Sequence, residues 1–128
     1  MFSFFKRKPN YPSFTALQSF QKKDAYFIRV AQWYWLNDEM ITIIDPHNAR
    51  MLTMDPWPQL VFLAANGQMT VQEYVHYMAD KYSGTIPAEL DKTILHELEK
   101  LENYRIIQFV NGQQRPESRF ELPLKDRK

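Results

Sequence analysis

Met40-Ile-Thr-Ile-Ile-Asp45-Pro-His-Asn-Ala-Arg50-Met-Leu-Thr-Met54-Asp-Pro56 is the stretch on which the reading of this chain turns. Apolar and β-branched residues fill 40–44 and 50–54, as two short strands require. Between them, Asp45-Pro46-His47-Asn48 has the residues a type I turn prefers, with Pro at its second position. The result is a hairpin whose second strand puts Leu52 and Met54 on one face and Met51 and Thr53 on the other. That second strand should be a sheet edge unless the N-terminal segment pairs with it. Asp55-Pro56 then opens a helix, Asp as N-cap and Pro where a missing N–H costs nothing.

Three helix patterns follow. Leu60, Val61, Leu63 and Ala64 give the first a buried face, and Asn66-Gly67 should end it in a left-handed cap. Thr70-Val-Gln-Glu73 has the spacing of a capping box. It starts a second helix with Val71, Tyr74, Val75, Met78 and Tyr82 on its apolar face, stopped by Gly84. Pro87 begins the third and longest, which carries Leu90, Ile94, Leu98 and Leu101 toward the core. Ile106, Ile107, Phe109 and Val110 form a strand, and Asn111-Gly112 is a strong hairpin turn, the natural place for a wing. The order strand, strand, helix, helix, helix predicts an α+β, winged-helix-like domain: a short antiparallel hairpin or sheet plus a three-helix bundle.

The N-terminal third is ambiguous. Phe14, Leu17 and Phe20 fit a short amphipathic helix starting at Ser13. The segment from Asp24 to Leu36 fits a strand with Tyr26, Ile28 and Val30 on one face, or a helix sharing Phe27, Val30 and Tyr34. Trp33-Tyr34-Trp35 argues for strand at its end. Residues 1–12 read as a flexible basic arm, with Lys6-Arg7-Lys8 beside Phe2, Phe4 and Phe5, followed by Pro9 and Pro12. Beyond the domain (13–112, core 40–110) the tail of residues 113–128 alternates Phe120, Leu122 and Leu124, as if to dock against something.

The totals exclude more than they assign. At 128 residues there is room for one core. Cysteine is absent, so disulfides, thiolate metal sites and cysteine nucleophiles are impossible. No apolar run approaches the roughly 18 residues of a membrane span, and a cytoplasmic location is the expectation. The net charge of +1 hides a division between basic flanks and an acidic centre. The third helix pattern carries Glu89, Asp91, Glu97, Glu99 and Glu102 against Lys92 and Lys100, which opposes approach to nucleic-acid phosphates. Glu97, Glu99 and Glu102 read as its solvated face.

Catalytic constellations are missing. His47, His76 and His96 fall in a turn and on two different helices, and the i, i+4 pair His76 with Asp80 is a weak metal-clamp spacing. No serine stands in a strand–turn–helix elbow, and no glycine-rich phosphate cradle occurs. Neither catalysis nor a cofactor is expected.

In the order and spacing of these motifs the chain resembles the PqqD-like family. The resemblance lies in Leu52-Thr-Met-Asp55, in Asn66-Gly-Gln-Met-Thr70-Val-Gln-Glu73-Tyr-Val75 with Met78-Ala-Asp-Lys-Tyr82 after it, and in the closing Leu101-Glu-Asn-Tyr-Arg-Ile-Ile107. Tyr104-Arg105 stand where that family commonly has a glycine. The resemblance spans residues 40–110 and implies a precursor-peptide recognition element for a peptide-modifying enzyme. It implies that a peptide adds a strand beside residues 49–54 and drops side chains into a groove against the third helix. The residues expected to meet it are Arg50, Met51 and Thr53 from the strand, and Lys92, Leu95, His96 and Glu99 from the helix. Leu95 stands at the border of the buried stripe and serves either the groove or the core. The alternative is a structural adaptor that docks through its tails into a larger assembly; a DNA-binding factor is disfavoured by the helix charge.

Overall fold

The structure, a computed structural model, describes residues 11–124. The arm and its Phe2, Phe4 and Phe5 lie outside these residues except for Tyr11 and Pro12. The described chain is α+β, with five helices and two three-stranded antiparallel sheets. In chain order the elements are α1 (Thr15–Ser19), β1 (Tyr26–Arg29), β2 (Trp33–Trp35), β3 (Ile41–Ile44), β4 (Met51–Thr53), α2 (Pro56–Ala64), β5 (Asn66–Thr70), α3 (Val71–Ala79), α4 (Leu90–Asn103), β6 (Ile107–Val110) and α5 (Ser118–Glu121). No helix among the described residues is long and apolar enough to cross a membrane.

One sheet has the order β2-β3-β4. It is the expected hairpin extended by the tryptophan-rich strand, with Trp33 opposite Ile43 and Ile43 opposite Leu52. The N-terminal segment therefore pairs with the far side of β3 and leaves β4 at an edge. The other sheet, β5-β1-β6, has β1 at its centre. The ambiguous 24–36 segment thus holds two strands, β1 and β2, one in each sheet, and the buried face of β1 is Phe27 and Arg29, opposite the Tyr26, Ile28 and Val30 set. Hydropathy alone hides this face because one of its two members is a cation.

Two expectations about turns are corrected. Asn66-Gly67 is not a cap at the end of a helix: α2 ends at Ala64, and residues 66–70 pair with β1. Gly67 does adopt a positive φ of 76°, but within β5. Asn111-Gly112 does not turn into a wing hairpin. β6 pairs with β1, and the chain after Gly112 forms no strand among the described residues. Instead it crosses to β5, where Gln114 N donates to Gly67 O at 3.2 Å and Gln113 Nε2 to Gln68 O at 3.1 Å. A methyl on Gly67 would collide with the Gln114 carbonyl and come within 2.7 Å of Ile28 Cγ2. Glycine is required there by both crowding and conformation.

The tail then docks onto its own domain. Phe120 is buried, and Arg29, itself buried, donates from Nε to Phe120 O (3.0 Å), from Nη2 to Glu121 O (3.0 Å) and from Nη1 to Leu63 O (2.7 Å). Trp33 Nε1 shares the Phe120 carbonyl at 2.8 Å. One guanidinium thereby joins β1, the end of α2 and the tail. Burial lowers its pKa to about 10, partly offset by the nearby Glu121.

The helices behave nearly as their signals require. The Thr70–Glu73 capping box forms reciprocally, and α4 buries Leu90, Ile94, Leu98 and Leu101. It starts at Leu90, three residues after Pro87, once the Pro87 carbonyl has accepted the Leu90 N–H. At its end Ile106 N bonds back to Leu101 O, with Arg105 between them at φ 63°. That is a Schellman-type close with arginine in the position that favours glycine. Leu60 and Tyr82, expected in the core, are exposed.

Candidate functional site: the open edge of β4 and its groove

The backbone register decides what the β4 edge offers. Ile44 N bonds to Gln32 O and Leu36 N to Met40 O, so the even-numbered residues of β3 direct their peptide groups toward β2. Asp45 N bonds to Arg50 O, and with Ile43 opposite Leu52 this aims the peptide groups of Leu52 at β3. Those of Met51 and Thr53 consequently point away from the sheet. They form a short row of outward donors and acceptors on a strand with no outer neighbour in the described chain.

The turn that holds this edge is built on Asp45. Its Oδ1 accepts from the backbone N–H of His47 (2.8 Å) and Asn48 (3.2 Å), and its Oδ2 from Asn48 Nδ2 (3.2 Å) and Arg50 Nε (2.7 Å). The Arg50 side chain and then the His47 amide hold the Asp45 carboxyl well below the usual carboxylate range. Arg50 also lies over the Tyr104 ring, 5.7 Å from its centroid. A cation–π contact so ties the start of β4 to the end of α4.

Beside the edge runs a groove between the hairpin and α4. A hollow of about 210 Å³ is lined by Leu52, Thr53, Met54, Asp55, Pro58, Glu97, Lys100 and Tyr104. A second, of about 420 Å³, is lined by Trp57, Glu89, Lys92, Thr93, His96 and Glu97. The two share Glu97, so one face of α4 borders both. Lys92 is paired there with Glu89 at 3.1 Å.

The seven expected contact residues are distributed unevenly over this surface. Met51 and Thr53 supply the edge backbone. Met51 is 62% exposed and turns to the outer face, where Tyr34 Oη lies 3.6 Å from its sulfur. Arg50 stands at the Tyr104 end of the groove, and Lys92 and His96 line the second hollow. Leu95 is buried within the core cluster, so the core reading of that residue is the one realised. Glu99 faces the opposite flank and lines a hollow with Phe20, Lys22, Glu102 and Phe109.

Glu97 is the largest departure from the expected surface. It does not belong to a solvated face but is only 5% exposed, and its Oε2 has no hydrogen-bond partner among the described residues. Asp91, equally counted among the acids of this helix, is also buried and accepts the N–H of Leu17 at 3.0 Å. Leu52, Met54, Pro58, Lys100 and Tyr104 complete the groove without having been expected there. Strand alternation does put Leu52 with Met54, and Glu97, Lys100 and Tyr104 stand at i, i+3 and i+7. The flank of α4 that meets the hairpin is set by packing.

The chain matches no protein-family model, no curated protein and no solved structure. The site therefore rests on its own geometry. Among the described residues no group of three His, Asp or Glu side chains converges on a metal-sized position. His76 Nδ1 lies 3.0 Å from Gln72 O, and Asp80 accepts from Tyr11 Oη at 2.6 Å, so that pair is engaged elsewhere.

Proposed function

We propose that this protein is a non-catalytic, winged-helix-like peptide-binding module that takes a precursor peptide as an added strand on β4 and presents it to a modifying enzyme. The observation that carries this reading is the edge itself: the Met51 and Thr53 peptide groups point outward beside a hollow lined by Leu52, Met54, Pro58 and α4. Strand addition needs these two features together, hydrogen-bonding capacity for affinity and side-chain hollows for selection. The resemblance to the PqqD-like family points the same way, and the positive φ at Arg105 falls where that family commonly carries glycine. The adaptor alternative draws on the aromatic N-terminal third and on Phe120, Leu122 and Leu124 of the tail; Phe120 is buried within the domain, whereas Leu122 is exposed.

The test is selection of random fifteen-residue peptides on the full-length protein, followed by amide hydrogen exchange of the best complex. Binding should protect the amides of Met51 and Thr53, and Thr53→Pro should abolish it. That substitution removes an outward donor while leaving the ladder to β3 in place. Failure to enrich any peptide, or protection confined to another surface, would overturn the reading.

A further inference from the structure

Glu97 is a buried carboxylate in the wall of the groove. A carboxylate removed from water without a partner is costly, and it becomes favourable once a cation pairs with it inside the same pocket. Glu97 Oε2 is buried and has no hydrogen-bond partner among the described residues, and Glu97 lines both hollows. The neighbouring cations do not serve it. Lys92 pairs with Glu89 and Arg50 with Asp45. Lys100 lines the hollow one helical turn away yet forms no ion pair with Glu97.

We infer that the peptide is anchored by a lysine or arginine whose side chain crosses the groove from the added strand and pairs with Glu97. This rests on the strand-addition reading and goes beyond it by naming the anchor. An added strand lies about 4.8 Å outside β4. A long side chain from it can lay its methylenes on Leu52, Met54 and Pro58 while its charged end reaches the floor. Apolar anchors would leave the carboxylate unpaired. Arginine suits the site best, because its guanidinium is more weakly hydrated than an ammonium and carries several donors. The exposed Asp55 at the rim adds attraction of the same sign.

The experiment uses the same random fifteen-residue library on the full-length protein and on Glu97→Gln, an isosteric change checked for folding by thermal melting. Peptides enriched on the native protein should share a Lys or Arg at one register position. Replacing that residue by glutamine in the peptide should weaken binding roughly tenfold to a hundredfold, the range for a desolvated charge-assisted pair. Against Glu97→Gln the same replacement should have almost no effect. Since the peptide substitution leaves the native protein untouched, the result does not depend on the variant's folding. Enriched peptides that lack a shared basic residue, or bind Glu97→Gln equally well, while still requiring the Thr53 amide, overturn the anchor and leave strand addition standing. No enriched peptide overturns both.

Discussion

The two sheets treat their edges in opposite ways. On β5 the chain's own tail crosses the strand: Gln113 and Gln114 bond to its carbonyls, and Arg29 and Trp33 clamp the tail beyond. On β4 the outward peptide groups of Met51 and Thr53 meet nothing in the described chain. Exposed strand edges are normally shortened, charged or covered because they template association. This protein covers one and keeps the other short, three residues long, with a groove at its side. The covered edge ties the tail to the domain, and the open one is where the proposed strand addition would take place.

That division can be broken by mutation. The largest effect is expected at the clamp. Arg29→Met leaves the Leu63 and Glu121 carbonyls without their side-chain donor, while Phe120 O keeps Trp33, and should cost about 3 kcal/mol of unfolding free energy, the upper range for unpaired buried groups. Chemical denaturation measures it, and an unchanged midpoint would show that the tail is held by something other than the guanidinium. Gly67→Ala should cost roughly 2 kcal/mol through overpacking against the tail backbone and a strained φ, with increased protease sensitivity after Gly112. A stable, protease-resistant Gly67→Ala protein would mean that the tail does not cross β5 there.

The open edge should respond to pH instead. The Asp45 carboxyl titrates lower in the folded chain than in the unfolded one. Its stabilisation is therefore complete above the ordinary carboxylate range near pH 4 and is lost as pH falls below it. Asp45→Asn should be less stable than the native protein at pH 7, with the gap narrowing by pH 2; a gap independent of pH would remove the carboxylate from the account. The smallest stability effect belongs to Thr53→Pro, within about 0.5 kcal/mol as for a surface change, even though it should abolish the proposed peptide binding. If it unfolds the protein, β4 is part of the stabilising framework and the contrast between the two edges fails.

Much of this was legible in the residues. The hairpin at 40–54, the Asp55-Pro56 helix start, the Thr70–Glu73 capping box and the apolar stripe of α4 are local devices, in which a few neighbouring residues satisfy one another's backbone groups. The edge position of β4 was legible too, because a hairpin strand lacks an outer partner unless another segment supplies one. Less visible was Arg29, which counts as a basic flank residue until three carbonyls are seen to converge on it. Glu97 counts as solvated for the same reason. Polarity argues for exposure, and only packing puts either of them inside.

By itself, then, the sequence determined the α+β class, the hairpin, the helix boundaries to within a few residues, and the absence of cysteine chemistry. These follow from interactions within a few residues of each other. The tertiary structure decided which strand takes the centre of the second sheet, where the tail lies, which flank of α4 faces the hairpin, and hence which side chains share the groove. Those choices depend on contacts between residues as distant as Arg29 and Glu121, for which no local pattern carries a signal. The function proposed here lives at that second level, in a carboxylate and a strand edge brought together by packing.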